Sequence, residues 1–389
     1  MKRRLFERIE QYKKELCEMS DFIFDHPEYE GNEILAAEKI TAFLEQHGFT
    51  VERGLAGFET AFRAVYQNGE GGPSIGMLCE YDALKGLEHG CGHQMQGPGC
   101  LGAAAAICDT VTDIPYKLVI YGTPAEETVG AKCPMLEAGC FQDIDVALMM
   151  HGGPNTCTDN KSMAMKAYQV VFHGTGSHAA LAPEKGRSAL DALLVAFNGI
   201  EFLREHVSDD ARMHYSISEL PGPSNVVPKR AVGEFRMRSY SKKNLDLITE
   251  RFMDIIKGAA LIAGVTYEVI PGKNLFNKIP VYTLNDLLIE NAKMAEAPRI
   301  APPREKTGST DFGNVMYYVP GSCIRVAFVP EGTPSHTQDF VDAGKSEDAH
   351  ACVIYGAKIM AGAAYDMITD DGIMTRIKTE FIENQEMFA

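Results

Sequence analysis

The sequence predicts an α/β protein, an open mixed sheet flanked by helices and interrupted by a separate α+β module. Three observations carry this expectation. Short apolar runs of strand length end in polar loops and are followed by helical spacing, the rhythm of an open α/β sheet. Clusters of Cys, His and Glu fall at the ends of those runs, where such sheets collect ligands. From about residue 166 the order changes to strand–helix–strand–strand–helix–strand, a two-layer unit.

Taken in order, residues from about 4 to 24 place Leu5, Ile9, Tyr12, Leu16, Met19 and Ile23 at three- and four-residue spacing, an amphipathic helix broken at Pro27 and Gly31. A second helix carries Ile34, Leu35, Ala37, Ile40, Phe43 and Leu44 and stops at Gly48. Strands are expected at Phe49–Glu52 and Ala61–Tyr66, then at Ile75–Cys79, followed by an Ala-rich helix from Gly99 to Val111. Tyr116–Gly122 is a further strand ending in Thr123-Pro124-Ala125-Glu126-Glu127. A helix at Lys132–Ala138 and a strand at Asp145–Met150, ending in His151-Gly152-Gly153-Pro154, follow. The inserted module reads as strand Tyr168–His173, helix Arg187–Glu205, strands near His214–Leu220 and Ala231–Ser239, helix Asn244–Ala263 and strand Val265–Ile270. Beyond Pro280 come a helix at Leu284–Ala295, a glycine-rich loop at Thr307–Gly313, a strand at Cys323–Phe328 and a last helix at Ala349–Asp366. The domain expectation is therefore a catalytic domain of 1–165 plus 280–389 around an insertion of 166–279.

Composition bounds the function. The chain has 389 residues, too many for one ordinary core, with 45% hydrophobic and 23% charged content, as in a globular protein. A net charge of −16 argues against nucleic acid as a partner, since phosphate binding needs a positive face. No segment reads as long and apolar enough to span a bilayer, and the basic start Met1-Lys2-Arg3-Arg4 runs into a charged helical pattern without a signal-peptide core. The ten cysteines are scattered through apolar segments, which suits reduced thiols and a cytoplasmic location.

The chemistry lies at the strand ends. Cys91-Gly92-His93 can turn sulfur and nitrogen toward one ion, a pairing that suits Zn²⁺ or a neighbouring divalent metal. Alone, that tripeptide is more often a buried thiol beside a satisfied histidine. Here Glu126, Glu127, His151 and His336 also follow apolar strands, with Asp82 and His89 close by, and two metals need about this many ligands. Adjacent carboxylates in a loop diverge, so one of Glu126 and Glu127 can bind an ion while the other acts as a general base.

The motifs Glu80-Tyr81-Asp82-Ala83-Leu84, His89-Gly90-Cys91-Gly92-His93, Pro124-Ala125-Glu126-Glu127, His151-Gly152-Gly153-Pro154, Ser177-His178-Ala179-Ala180, Asn225-Val226-Val227-Pro228, Gly308-Ser309-Thr310-Asp311-Phe312-Gly313 and Ser335-His336-Thr337 occur in one order along nearly the whole chain. Together they resemble the dinuclear-metal aminoacylase/carboxypeptidase family of metallopeptidases, in its amidohydrolase branch of N-acyl-amino-acid hydrolases, aminobenzoyl-glutamate hydrolases and related dipeptidases. The resemblance implies a zinc-peptidase-like catalytic domain with a ferredoxin-like dimerisation lid, and a homodimer or higher homo-oligomer. It implies two divalent ions per subunit, zinc or manganese with cobalt or nickel also permitted, held by Cys91, His93, Glu127, His151 and His336. Cys91 would stand where other branches use a bridging carboxylate, and Glu126 would be the general base.

The same resemblance has His178 of one subunit stabilise the oxyanion in the other's site, with Asn225 helping to hold substrate and Gly308 and Ser309 presenting backbone amides to its carboxylate. Arg304, Arg325 and Arg236 are all candidate carboxylate partners. Asp82 is expected to orient an imidazole, and His89 to be structural. The activity implied is cleavage of an N-acyl or N-aroyl amino acid, with a β-alanyl or lysyl dipeptide as the alternative substrate and a silent metal-binding scaffold as the remaining reading. Gln94 and Lys85, and the run Gln96-Gly97-Pro98-Gly99, depart from the family pattern beside the site and bear on substrate and metal choice.

Overall fold

The computed structural model describes every residue except Leu220 and Ala389, so the end of the strand expected near His214–Leu220 lies outside the described residues. In chain order the elements are helices α1 (Lys2–Asp25) and α2 (Ile34–Gln46), strands β1 (Thr50–Arg53), β2 (Phe62–Asn68) and β3 (Ser74–Cys79), helix α3 (Gln96–Thr110), strand β4 (Tyr116–Gly122), helix α4 (Lys132–Glu137), and strands β5 (Val146–Gly153) and β6 (Cys157–Thr158). Then come β7 (Ala164–His173), α5 (Ala189–Arg204), β8 (Arg212–Ile217), β9 (Arg230–Ser239), α6 (Lys242–Ala263) and β10 (Thr266–Leu275). The chain ends with α7 (Tyr282–Met294), α8 (Phe312–Met316), β11 (Gly321–Ala327), α9 (Gln338–Asp342), α10 (Glu347–Thr369) and α11 (Asp371–Phe388).

The chain forms two compact units, one of Met1–Lys161 and Lys278–Met387, the other of Ser162–Asn277 with Phe388. In the first, seven strands order as β1-β2-β4-β3-β5-β11-β6. The four inner strands β4, β3, β5 and β11 are mutually parallel, whereas β1, β2 and β6 join antiparallel at the flanks. Parallel strands covered on both faces must be apolar throughout, and β3 and β5 are buried along their entire length. Helices α1, α3 and α10 pack on one another, and α3 and α10 also contact β5. Their approach is close because a Cβ on Gly99 or Gly356 would sit 2.1 or 2.4 Å from the sulfur of Met150, which rises from β5 between them. On the opposing side, Phe141, Met135, Phe312, Val315 and Met316 pack against Leu78, Val119, Tyr121 and Ala147.

Besides the short elements β6, α8 and α9, which the sequence did not announce, three features differ from the sequence expectation. His151 lies inside β5 rather than beyond it, paired in register with Arg325 of β11. Helix α10 is in fact long and apolar enough to cross a bilayer, but it is mostly buried among α1, α3, α7 and the sheet, which is why its Ala- and Met-rich sequence carries few charges. Helix α11 was missed because charge dominates it; Met374, Ile377 and Phe381 at three- and four-residue spacing form its buried face.

The second unit is a four-stranded antiparallel sheet in the order β10-β7-β9-β8, with α5 and α6 packed on it around Phe172, Leu193, Phe235 and Phe252. Both helices start at a serine whose side chain accepts an N–H three residues on, Ser188 from Asp191 and Ser241 from Asn244.

Glu33, fully buried just before α2, accepts from the Gly31 N–H at 2.9 Å and from the Thr60 hydroxyl at 3.3 Å. Burial outweighs these bonds and pushes its carboxyl from 4.5 up to about 7. A raised folded-state value means that its stabilisation is complete below pH 4.5 and is lost as pH rises through about 7. Glu33→Gln is therefore expected to flatten the decline in stability across that window relative to wild type. Urea midpoints measured at a series of pH values check this, and two parallel curves would refute it.

Candidate active site

Most donors at the site are placed by a strand end or by a turn at positive φ, while His151 is carried within β5. After β3 the chain keeps Glu80, Tyr81 and Asp82 buried, then turns through Gly92, whose φ of +81° lets Cys91 and His93 face the same space. After β4, Ala125 adopts φ 56°, left-handed backbone that a residue with a Cβ rarely takes, just before Glu126 and Glu127. His336 also sits at positive φ, 64°, in the loop after β11, and its N–H is anchored on the Gly90 carbonyl at 2.8 Å.

The result is a convergence of lone-pair donors. Ligand atoms of Cys91, His93 and His151 lie within 4.8 Å of one another, and so do those of Cys91, Glu127 and His336. Cys91 belongs to both groups, and its sulfur is 3.5 Å from His151 Nε2. Glu127 Oε1 is 3.2 Å from His336 Nε2 and 3.9 Å from His93 Nε2, yet it is buried without a hydrogen bond. Both inner imidazoles present Nε2. His93 Nδ1 is held by Asp82 Oδ1 at 3.0 Å, and His151 Nδ1 lies 2.7 Å from the Gly152 carbonyl, which can only accept. Asp82 also takes the Glu127 N–H on its other oxygen at 2.9 Å, so one carboxylate orients two donors. Burial, with the Arg325 guanidinium adding to it, lowers His151 to about 3 and keeps its ring neutral. Thiol, imidazole and carboxylate donors packed this tightly, with an orphaned carboxylate oxygen among them, fit a divalent cation.

Glu126 adjoins this cluster, grouped with His93 and Glu127 on one side and with Glu80 and Asp311 on the other. Desolvation pushes its carboxyl up to about 8; Glu80, Asp311 and Glu127 add to the rise, and Lys132 opposes it. Lys132 was not singled out by the sequence. It is fully buried, donating to Glu80 Oε1 at 2.5 Å and to Asp311 Oδ1 at 2.7 Å. Glu80 in turn accepts from Gln96 Nε2 at 2.8 Å and lies 3.3 Å from His93 Nε2. Burial opposes ionisation of Glu80, but Lys132 first and then His93 more than compensate and hold it ionised. The signal available was a lysine within the small-residue stretch Gly130-Ala131-Lys132-Cys133 beside the Glu126-Glu127 loop.

One cavity in the first unit is lined by Cys91, His93, Glu126, Glu127, His151 and His336 together with Gly308 and Ser309. Arg304 and Arg325 line it as well, whereas Arg236 is an exposed residue of β9 in the second unit. His89 is buried away from the donors, with Nε2 3.0 Å from the Ile23 carbonyl. His178 and Asn225 lie together in the second unit, where the Ala179 N–H donates to the Asn225 carbonyl at 3.0 Å. His178 caps a turn, its Nδ1 accepting from the N–H groups of Ala180 and Leu181 at 3.2 and 3.3 Å. That places the ring proton on the exposed Nε2.

A mixed α/β sheet whose strand ends gather such donors beside a carboxylate defines a metal-dependent hydrolase of amide bonds. The chain belongs to peptidase family M20/M25/M40, whose family model matches residues 77–361. It is 32% identical to the Xaa-Arg dipeptidase of Mus musculus, covering 98% of this chain and 92% of the relative. To one of the two kinds of chain in the p-aminobenzoyl-glutamate hydrolase of Escherichia coli K12 it is 30% identical over 96% of this chain and 93% of that one. A crystal structure from Bacillus subtilis, described as a dinuclear metal binding peptidase from the M20 family, superposes with a TM-score of 0.68 at 19% identity, covering 90% of this chain and 98% of the other. The family resemblance drawn from the motifs therefore holds, and the chain is a metal-dependent amide hydrolase.

Proposed function

We propose that the protein is a dinuclear amidohydrolase that releases a free amino acid from an N-acyl or N-aroyl amino acid, or from a dipeptide-like amide. The observation that carries this is the pair of donor groups sharing Cys91 beside Glu126. Cys91, His93 and His151 would hold one ion and Cys91, Glu127 and His336 the other; zinc suits the thiol and imidazoles, and manganese is the rival. The ions supply positive charge that polarises the amide carbonyl and acidifies water.

The remaining steps belong to the chain. Glu126, its carboxyl raised toward neutrality, takes the proton of the attacking water and returns it to the leaving nitrogen. His178 of one subunit donates from Nε2 to the oxyanion in the site of the other, for which its tautomer is suited, so the working form is at least a homodimer. Asn225, adjacent to His178, steadies the same end of the substrate, and Gly308 and Ser309 line the path of its carboxylate. The names of the two curated relatives support both substrate types, an aroyl-glutamate and a dipeptide. The cytoplasm is the proposed compartment, supported by ten cysteines that form no disulfide among the described residues.

The test is elemental analysis of the purified protein followed by turnover on a panel of N-acyl amino acids and dipeptides. Two equivalents of metal per chain and amide cleavage within the panel are expected. Metal binding with no cleavage of any member would leave a silent scaffold.

A further inference from the structure

The cavity wall built by Asp159, Lys278, Arg304 and Arg325 is unequal in charge. Asp159, on the loop after β6, is fully enclosed and is the one carboxylate of that wall. Its Oδ1 takes Arg304 Nε at 2.7 Å, and its Oδ2 takes Lys278 Nζ at 3.0 Å and lies 3.5 Å from Arg325 Nε. Three cations thus surround one anion. The Lys278 and Asp159 side chains are only 3% and 1% exposed and offset each other, so the excess lies on the two guanidinium groups, 40% exposed at Arg304 and 21% at Arg325. The other carboxylates lining the cavity, Glu80, Glu126 and Glu127, belong to the donor cluster and to Lys132.

Both arginines retain hydrogen-bonding capacity. Arg304 spends Nε on Asp159, and its two Nη groups take no partner among the described residues; its side chain is 40% exposed. Arg325 Nε is buried without a hydrogen bond. Its Nη1 stands 3.1 Å from His151 Nδ1, which already gives its proton to Gly152, so donor faces donor. Two guanidinium groups present more than one carboxylate can use, and each is shaped to take one bidentately.

From this geometry we infer that the wall is a subsite for a second carboxylate, so that the amino acid released is dicarboxylic, of the glutamate or aspartate type. This rests on the hydrolytic reading above and narrows it. One fork takes the α-carboxylate and the other the side-chain carboxylate. A basic leaving residue would bring a fourth positive group against an existing excess and is disfavoured, and an amide side chain would leave one fork unsatisfied.

The metal-loaded wild-type protein is titrated calorimetrically with L-glutamate, L-glutamine and L-arginine, products that need no turnover. Separately, N-benzoyl derivatives of the same three are assayed. Glutamate is expected to bind roughly tenfold tighter than glutamine, the value of one charge-assisted carboxylate contact, with arginine weakest. The glutamate advantage should shrink as salt is added. Arg304→Gln should bring the glutamate and glutamine affinities together. Equal affinities in the wild type, or arginine binding best, overturns the subsite whatever the variant does. Cleavage of the benzoyl amides without preference for glutamate overturns it too while sparing the hydrolytic reading. Preferential glutamate binding without any cleavage upholds the subsite and sinks that reading.

Discussion

Glu126→Gln is expected to lower kcat by a factor of about 10² to 10⁴, the usual contribution of a positioned general base, with KM little changed. Glutamine keeps the shape and hydrogen-bonding span of the side chain but cannot take a proton at neutral pH. The backbone that aims this residue, with Ala125 at φ 56°, is untouched by the change. Metal content is the second readout. Glu126 stands in donor groups with His93 and Glu127 and with Glu80 and Asp311, so a ligand role competes with the role of base. Retention of the wild-type metal content with turnover lost identifies the base. Loss of an ion makes Glu126 a ligand, and turnover within tenfold of wild type removes it from the mechanism.

Lys132→Met is expected to destabilise the protein by about 3–5 kcal/mol, the cost of leaving buried carboxylates without their counter-charge. The lysine is fully buried between Glu80 and Asp311, and its own ionisation is strengthened because their attraction outweighs its burial. Urea unfolding measures the loss. The source of the cost is checked by adding Glu80→Gln and Asp311→Asn to the same protein. If uncompensated charge is responsible, the triple variant recovers much of the lost stability. If it remains as unstable as the single variant, lost packing is the cause.

The α/β rhythm and the donors at strand ends were legible because apolar runs and the residues that terminate them are local. Glu126 and Glu127 follow β4 closely, Cys91 and His93 come in the loop after β3, and the cavity collects them with His151 and His336. What escaped was long-range. Lys132 reads as a surface lysine until Glu80 and Asp311, far off in sequence, are brought to it. Among three candidate arginines, only the pairing of β11 with β5 puts Arg325 beside His151, and only the bridge between Asp159 and Arg304 puts the latter on the same wall. Helix α10 has the length and apolarity that the sequence reading credited to no segment, since interior helices and bilayer helices share one composition and differ only in what surrounds them.

The position of β11 has a consequence for biosynthesis. That strand completes the sheet by entering between β5 and β6, both of which precede the second unit in the chain. During translation the edge of β5 therefore stays open, and the apolar faces of α1 and α3 lack α10, until the ribosome has delivered the whole insertion and the segment beyond it. An exposed parallel edge of this kind is a template for pairing with other nascent chains until β11 emerges to cover it. A chain stalled before residue 321 has made most of the donors and none of the sheet edge that joins them to His336.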